Sequence, residues 1–137
     1  MTLVSSKGVY ALSAMYALYQ HGNKTPMRVR EISDSYNIPR NYLDQILAKL
    51  RNAGMIVSTR GPHGGYSISM DAKDILVKDI LLASGESLRL SDYDNDNTAL
   101  TLFFADKQEK IMELFLLNLA ELEKYKEAYN ESLHFSI

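Results

Sequence analysis

Asn41, Asp44 and Gln45 place two amides and a carboxylate close together, and with Ala48 they recur at helical spacing. Amides donate and accept hydrogen bonds, an ionised carboxylate accepts them, and none of the three is a nucleophile without an activating partner. The chemistry on offer is recognition rather than bond making. Other candidate groups fail on type or spacing. The chain has no cysteine, which excludes thiolate nucleophiles, disulfides and any cysteine-ligated iron-sulfur cluster, so no cofactor is expected. His21, His63 and His134 stand at no metal-ligand spacing and read as surface histidines. Asp92, Asp94 and Asp96 copy the first three ligand positions of a calcium loop, yet Asn97 and Phe103 stand where that loop requires Gly and Glu. A solvated acidic loop is expected there. Gly61-Pro62-His63-Gly64-Gly65 is too short to cradle a nucleotide, and no enzyme is predicted.

The row of amides needs a helix, and the sequence supplies one from about Arg40 to Asn52, after Pro39 and before Gly54. Leu43, Ile46, Leu47 and Leu50 form its apolar stripe and leave Asn41, Asp44 and Gln45 on another face. Two helices precede it. The first is capped by Ser5 or Ser6, carries Ala11, Ala14, Met15 and Leu18 on one side and stops at Gly22; the second runs from about Arg28 to Tyr36 with Val29, Ile32 and Tyr36 inward. Met55 to Thr59 and Tyr66 to Met70 flank Arg60-Gly61-Pro62-His63-Gly64-Gly65 and predict a hairpin. Three helices followed by a hairpin describe a winged helix-turn-helix, mainly α with a small β wing, in which the third helix enters the DNA major groove and the hairpin lies alongside.

A further helix is expected near Asp74 to Ala83, then a polar stretch from Ser91 to Asn97. From about Ala99 to Glu131 one long helix is predicted. Ile111, Phe115, Asn118, Leu122, Tyr125 and Tyr129 recur along it at steps of 4, 3, 4, 3 and 4, a heptad seam expected to meet a partner subunit, with Asn118 either setting register or facing solvent. Residues 111 to 119 are apolar nearly all round and should be buried on several faces. The organisation is thus a head over residues 1–83, an acidic loop over 84–98 and a dimerisation helix with its tail over 99–137.

The formal charge of −2 conceals an asymmetry. Met1 to Tyr66 hold eight Lys/Arg against three acids, a net +5, whereas Ser67 to Ile137 hold seven against fourteen, a net −7. A basic half joined to an acidic half suggests one polyanion-facing surface and one with another task. At 137 residues, 46% apolar and 23% charged, the chain fits one globular domain with its own core. No apolar run reaches membrane-spanning length and Met1 to Lys7 lack a signal peptide's apolar region, so a cytoplasmic protein is expected.

Tyr42-Leu43-Asp44-Gln45-Ile46-Leu47, Leu50-Arg51-Asn52-Ala53-Gly54-Met55-Ile56 and Arg60-Gly61-Pro62-His63-Gly64-Gly65-Tyr66, with Ser6-Lys7-Gly8 and Tyr10-Ala11 ahead of them, resemble the Rrf-two family of bacterial winged-helix transcription regulators. The likeness runs to about residue 83, and the carboxy-terminal helix matches in kind. It implies a homodimer on a palindromic double-stranded DNA operator, most naturally as a repressor. Asn41, Asp44 and Gln45 would approach base edges and Arg60 the minor groove. The chemistry agrees, since Gln and Asn pair with adenine, Asp accepts from cytosine, and Arg suits a narrow A/T-rich minor groove. Lys7, Arg40, Tyr42, Lys49, Arg51 and His63 would meet the phosphate backbone.

Two departures bear on what the likeness implies. Many members carry three cysteines after the fourth helix, where this chain has none; and Val9 and Asp44 replace a commonly basic residue and a usual Glu, so no operator sequence transfers. The controlling signal is open between a small molecule lodged between head and long helix, a protein partner, a cluster with unusual ligands, and none. A protein-binding adaptor on the same dimeric scaffold is the alternative function.

Overall fold

The computed structural model describes residues 2–91 and 98–135, with side chains through Leu133. Helix α1 (Ser6–His21) is central. Its small and apolar residues Ala11, Ala14, Met15 and Leu18 are all at most 2% exposed, so the predicted stripe is the buried one. Ser5 leads into the helix in an extended conformation, with its backbone N–H and hydroxyl both donating to Glu86, and Gly22 ends it by donating to Leu18 O at 3.2 Å. Helices α2 (Val29–Ser35) and α3 (Arg40–Asn52) pack on α1. Between α2 and α3 the chain turns on Asn37, at φ 53, while Ile38 drops into the core and Ser33 bonds it from both sides, N–H to O at 2.9 Å and hydroxyl to O at 2.7 Å.

Strands β1 (Ile56–Thr59) and β2 (Gly65–Ile68) form the antiparallel hairpin, in register from Ile56 opposite Ile68 to Thr59 opposite Gly65. Of the predicted strand residues, Met55, Ser69 and Met70 fall outside the ladder, and Gly65 joins it. Helix α4 (Val77–Ala83) follows a single 3-10 turn at Ala72–Asp74, in place of one helix from Asp74. Ile32, Ile38, Leu43, Leu47, Leu50, Ile56, Ile75 and Ile80 close one core with α1.

The carboxy-terminal half corrects the single-helix expectation. The chain forms helix α5 (Ala99–Leu114), a 3-10 turn at Leu119–Leu122 and helix α6 (Glu123–Phe135). The break has a physical cause. Residues 115 to 119 give their backbone groups to the start of α4: Val77 N–H to Leu117 O at 2.9 Å, Lys78 N–H to Phe115 O at 2.8 Å and Leu119 N–H to Ile75 O at 2.8 Å. Asn118 does not lie on a continuous helical seam, because the helix is broken there. It caps the 3-10 turn, accepting from Glu121 N–H at 3.0 Å, and its backbone bridges Leu76. Ile111, Phe115, Asn118, Leu122, Tyr125 and Tyr129 therefore do not share one helix. Burial of 111 to 119 is also uneven: Leu119 is fully buried in the head's core, whereas Leu114 is 70% exposed.

Among the described residues no helix is long and apolar enough to cross a membrane.

Candidate nucleic-acid interface

Helix α3 separates its two faces completely. Leu43, Ile46, Leu47 and Leu50 are at most 2% exposed, while Arg40, Asn41, Asp44 and Gln45 are exposed and Ala48 is half-buried. The buried stripe fixes the helix's rotation about its axis, and that rotation holds the polar row outward. None of the three predicted base-reading side chains on the helix is packed inside the protomer.

The start of α3 is braced by α1. Tyr42, partly exposed, lies 5.8 Å from the Tyr10 ring, and Lys7 Nζ stands 6.0 Å over Tyr42. These residues bring the first turns of both helices to one surface. At the other end of α3, Lys49 Nζ donates to Ser84 O at 3.2 Å, at the end of α4. Lys49 thus has a structural partner that spacing could not show, and Arg51 beside it is exposed.

The wing is stitched to the body rather than hanging from it. Met27 and Tyr66 exchange both backbone hydrogen bonds at 2.8 Å, which extends the hairpin by a bridge to the segment just before α2. Gly65 is required there: its φ is 154, and a Cβ would collide with Met27 O. Within the loop Gly64 N–H donates to Gly61 O at 2.9 Å. Arg60 and His63 are exposed on this loop.

Arg28 belongs to this surface and the sequence reading missed it as a site residue. Its Nη2 donates to Pro62 O at the loop tip at 2.8 Å, across 34 residues of sequence, and no periodicity reports so distant a pairing. Arg28, Arg51 and Arg60 line a trough of about 500 Å³ between α2, α3 and the wing, and no acidic side chain lines it. Of the three acids in residues 1–66, Asp34 lies 4.0 Å from Arg30, Glu31 accepts from Arg28 N–H at 3.3 Å, and Asp44 stands in the displayed row. The result is a positive surface with one carboxylate at its reading edge.

The four seam residues Phe115, Leu122, Tyr125 and Tyr129 line a different place, an apolar groove of about 630 Å³ against the chain's own α1. There Tyr16 donates to Glu123 Oε2 at 3.0 Å, and Tyr36 to Gln20 Oε1 at 2.7 Å. Burial, and then the Glu123 carboxylate, pushes the Tyr16 phenol up to about 12. Burial first, then Glu123, also raises Tyr36. Both hydroxyls are donors at neutral pH.

A family model described as "Rrf2: Iron-dependent Transcriptional regulator" matches residues 4–126. The chain belongs to the Rrf2 family. It is 41% identical over 85 residues to the HTH-type transcriptional regulator IscR of Vibrio atlanticus, covering 62% of this chain and 49% of that protein. The chain thus spans about half the length of the curated relatives it matches. Among solved structures, T. potens IscR superposes with a TM-score of 0.76 at 30% identity, over 92% of this chain and 89% of that one. CymR of B. subtilis, named its global cysteine regulator, gives 0.75 at 26% identity over 91% and 98%. These relatives are regulators and not enzymes. The winged helix of this Rrf2 protein is the element the sequence predicted.

The family description names iron, and the donor set here does not fit a cysteine-ligated centre, because this Rrf2 chain has no cysteine. Among the described residues no three His, Asp or Glu side chains are grouped to hold a metal. Asp92, Asp94 and Asp96 lie outside the described residues, as does the side chain of His134. His63 is on the wing, and His21 Nε2 lies 3.3 Å from Thr25 Oγ1.

Proposed function

We propose that this Rrf2 protein is a dimeric, sequence-specific DNA-binding transcriptional regulator, acting as a repressor on a palindromic operator in the cytoplasm. One observation carries the reading: α3 turns Asn41, Asp44 and Gln45 to solvent beside a wing bearing Arg60, on a scaffold whose opposite face is fully buried. Amide and carboxylate groups displayed by a rigid helix match base edges in a major groove, and Arg60 suits the adjacent minor groove. Lys7, Arg40, Tyr42, Arg51 and His63 are exposed around them, where phosphates would run. Lys49 keeps this role with its two remaining N–H groups.

The second copy is supported by α5, which has no buried residue and exposes Leu100, Leu102, Phe103 and Leu114 at 51% or more. The reading includes operation without a cysteine-ligated cluster; protein purified without oxygen is expected to be colourless, and a visible absorption band would overturn that part. An effector, small molecule or protein, is left to act through the carboxy-terminal half. The test of the whole is selection from randomised duplex DNA over a salt series. Enrichment of an inverted repeat is expected, and no enriched sequence would refute sequence-specific binding.

A further inference from the structure

We propose that Arg28 is a positioning residue of the wing: it holds the loop tip where Arg60 meets the duplex, and so sets the discrimination between A/T and G/C steps beneath the wing. The inference rests on the reading of the wing as a groove probe. The base of the hairpin is held by its ladder and by the Met27–Tyr66 bridge, but the loop over residues 60–64 stands beyond both. A two-stranded hairpin is marginal by itself, and its tip is free to rock unless another element reaches it. Arg28 makes that reach, bonding Pro62 O at 2.8 Å, two residues from Arg60.

Arg28 is suited to the task because its own backbone is fixed. Its carbonyl accepts from Ile32 N–H at 3.0 Å in the first turn of α2, and its N–H donates to Glu31 Oε1 at 3.3 Å. The guanidinium is planar and carries five N–H donors, of which one bond holds Pro62. The others are not used in that bond, and the side chain lines the trough shared with Arg51 and Arg60, which no carboxylate lines. An anionic strand entering the trough can meet those donors without displacing Pro62, so latch and phosphate attraction act in the same direction. Minor-groove readout by arginine depends on groove width and on the depth of entry, which makes discrimination more sensitive than affinity to a displaced tip.

The test uses the full chain and two duplexes from the randomised selection that differ only in A/T or G/C steps under the wing. Arg28→Ala is expected to reduce the A/T preference at least about threefold and to add nothing to the loss in Arg60→Ala. Arg28→Lys, which keeps the charge and loses the fork, is expected to keep the salt slope and lose the preference. If Arg28→Ala instead weakens both duplexes by one factor and lowers the salt slope by about one, Arg28 is a phosphate contact and the proposal fails. Full preference in Arg28→Lys likewise refutes it. If Arg60→Ala leaves the preference intact, the groove-probe reading itself is wrong, and the two failures are thereby told apart. Hydrogen exchange without DNA gives an independent check: faster exchange at the Gly64 amide in Arg28→Ala supports the latch, and unchanged exchange overturns it.

Discussion

Helices α3 and α5 are of similar length and both carry several large apolar residues, and they dispose of them in opposite ways. In α3 the four aliphatic side chains from Leu43 to Leu50 are buried within the protomer and the polar row faces out. In α5 no residue is buried, and Leu102 is 75% exposed. A helix whose apolar stripe is satisfied inside one chain can present a fixed polar surface. One whose stripe is left open has its rotation and environment set by whatever covers it. The head therefore satisfies the apolar stripe of α3 within the protomer, whereas the carboxy-terminal half leaves that of α5 uncovered.

Leu119 is the point at which the two halves meet, and its removal gives the largest expected effect. It is fully buried among head residues, although it lies beyond α5. Leu119→Ala is expected to cost about 2–5 kcal/mol of folding stability, as buried leucine truncations do. Denaturant unfolding should show one cooperative transition with a lowered midpoint. A cost within about 0.5 kcal/mol, typical of surface sites, would mean that the segment is not part of the head's core.

Next in size is the division of labour on the reading surface. Arg60→Ala should weaken an enriched operator by about 1–3 kcal/mol and relax its sequence preference, while Arg51→Ala should weaken all duplexes alike and lower the salt slope by about one. Equilibrium titrations at several salt concentrations measure both. Identical behaviour of the two variants would erase the distinction between reading and gripping.

What the sequence disclosed follows from the range of the interactions involved. The bounds of α1 and α3, the buried stripe from Leu43 to Leu50 and the outward row at 41, 44 and 45 are all local consequences of a 3.6-residue period, and all were legible. The break after Leu114 was not, because its cause is a set of backbone bonds to residues 75–78, some forty positions away. Hydrophobic spacing continued smoothly across Phe115 and Asn118 and suggested a helix that the backbone does not make. The place of Arg28 and the tether of Lys49, itself already expected at the phosphates, escaped for the same reason: each is defined by a carbonyl, Pro62 O or Ser84 O, that lies 34 or 35 residues along the chain.

The open face of α5 gives a prediction that probes the contrast from the other side. Leu102→Glu should leave the stability of the isolated protomer within about 0.5 kcal/mol, since the side chain is exposed there. It should weaken self-association at least about tenfold, equivalent to about 1.4 kcal/mol. Sedimentation over a concentration series reads the second quantity. Unchanged association would remove α5 from the interface.

The smallest effect concerns the junction of α1 and α6, where Tyr16 donates to Glu123 at 3.0 Å. Burial and the neighbouring carboxylate both disfavour the phenolate, which is why the folded-state value is about 12 against an ordinary 10.0. A raised value in the folded state means that folding favours the protonated phenol. The associated stability is complete below the unfolded value near 10.0 and is lost as pH rises toward about 12. Tyr16→Phe should therefore cost about 1 kcal/mol at neutral pH, the worth of one hydrogen bond. It should also flatten the decline in stability between those two values. Urea unfolding of both proteins at intervals through that range measures the difference. Parallel declines would show that this phenol does not govern alkaline stability and that α6 is held to α1 by apolar contact alone.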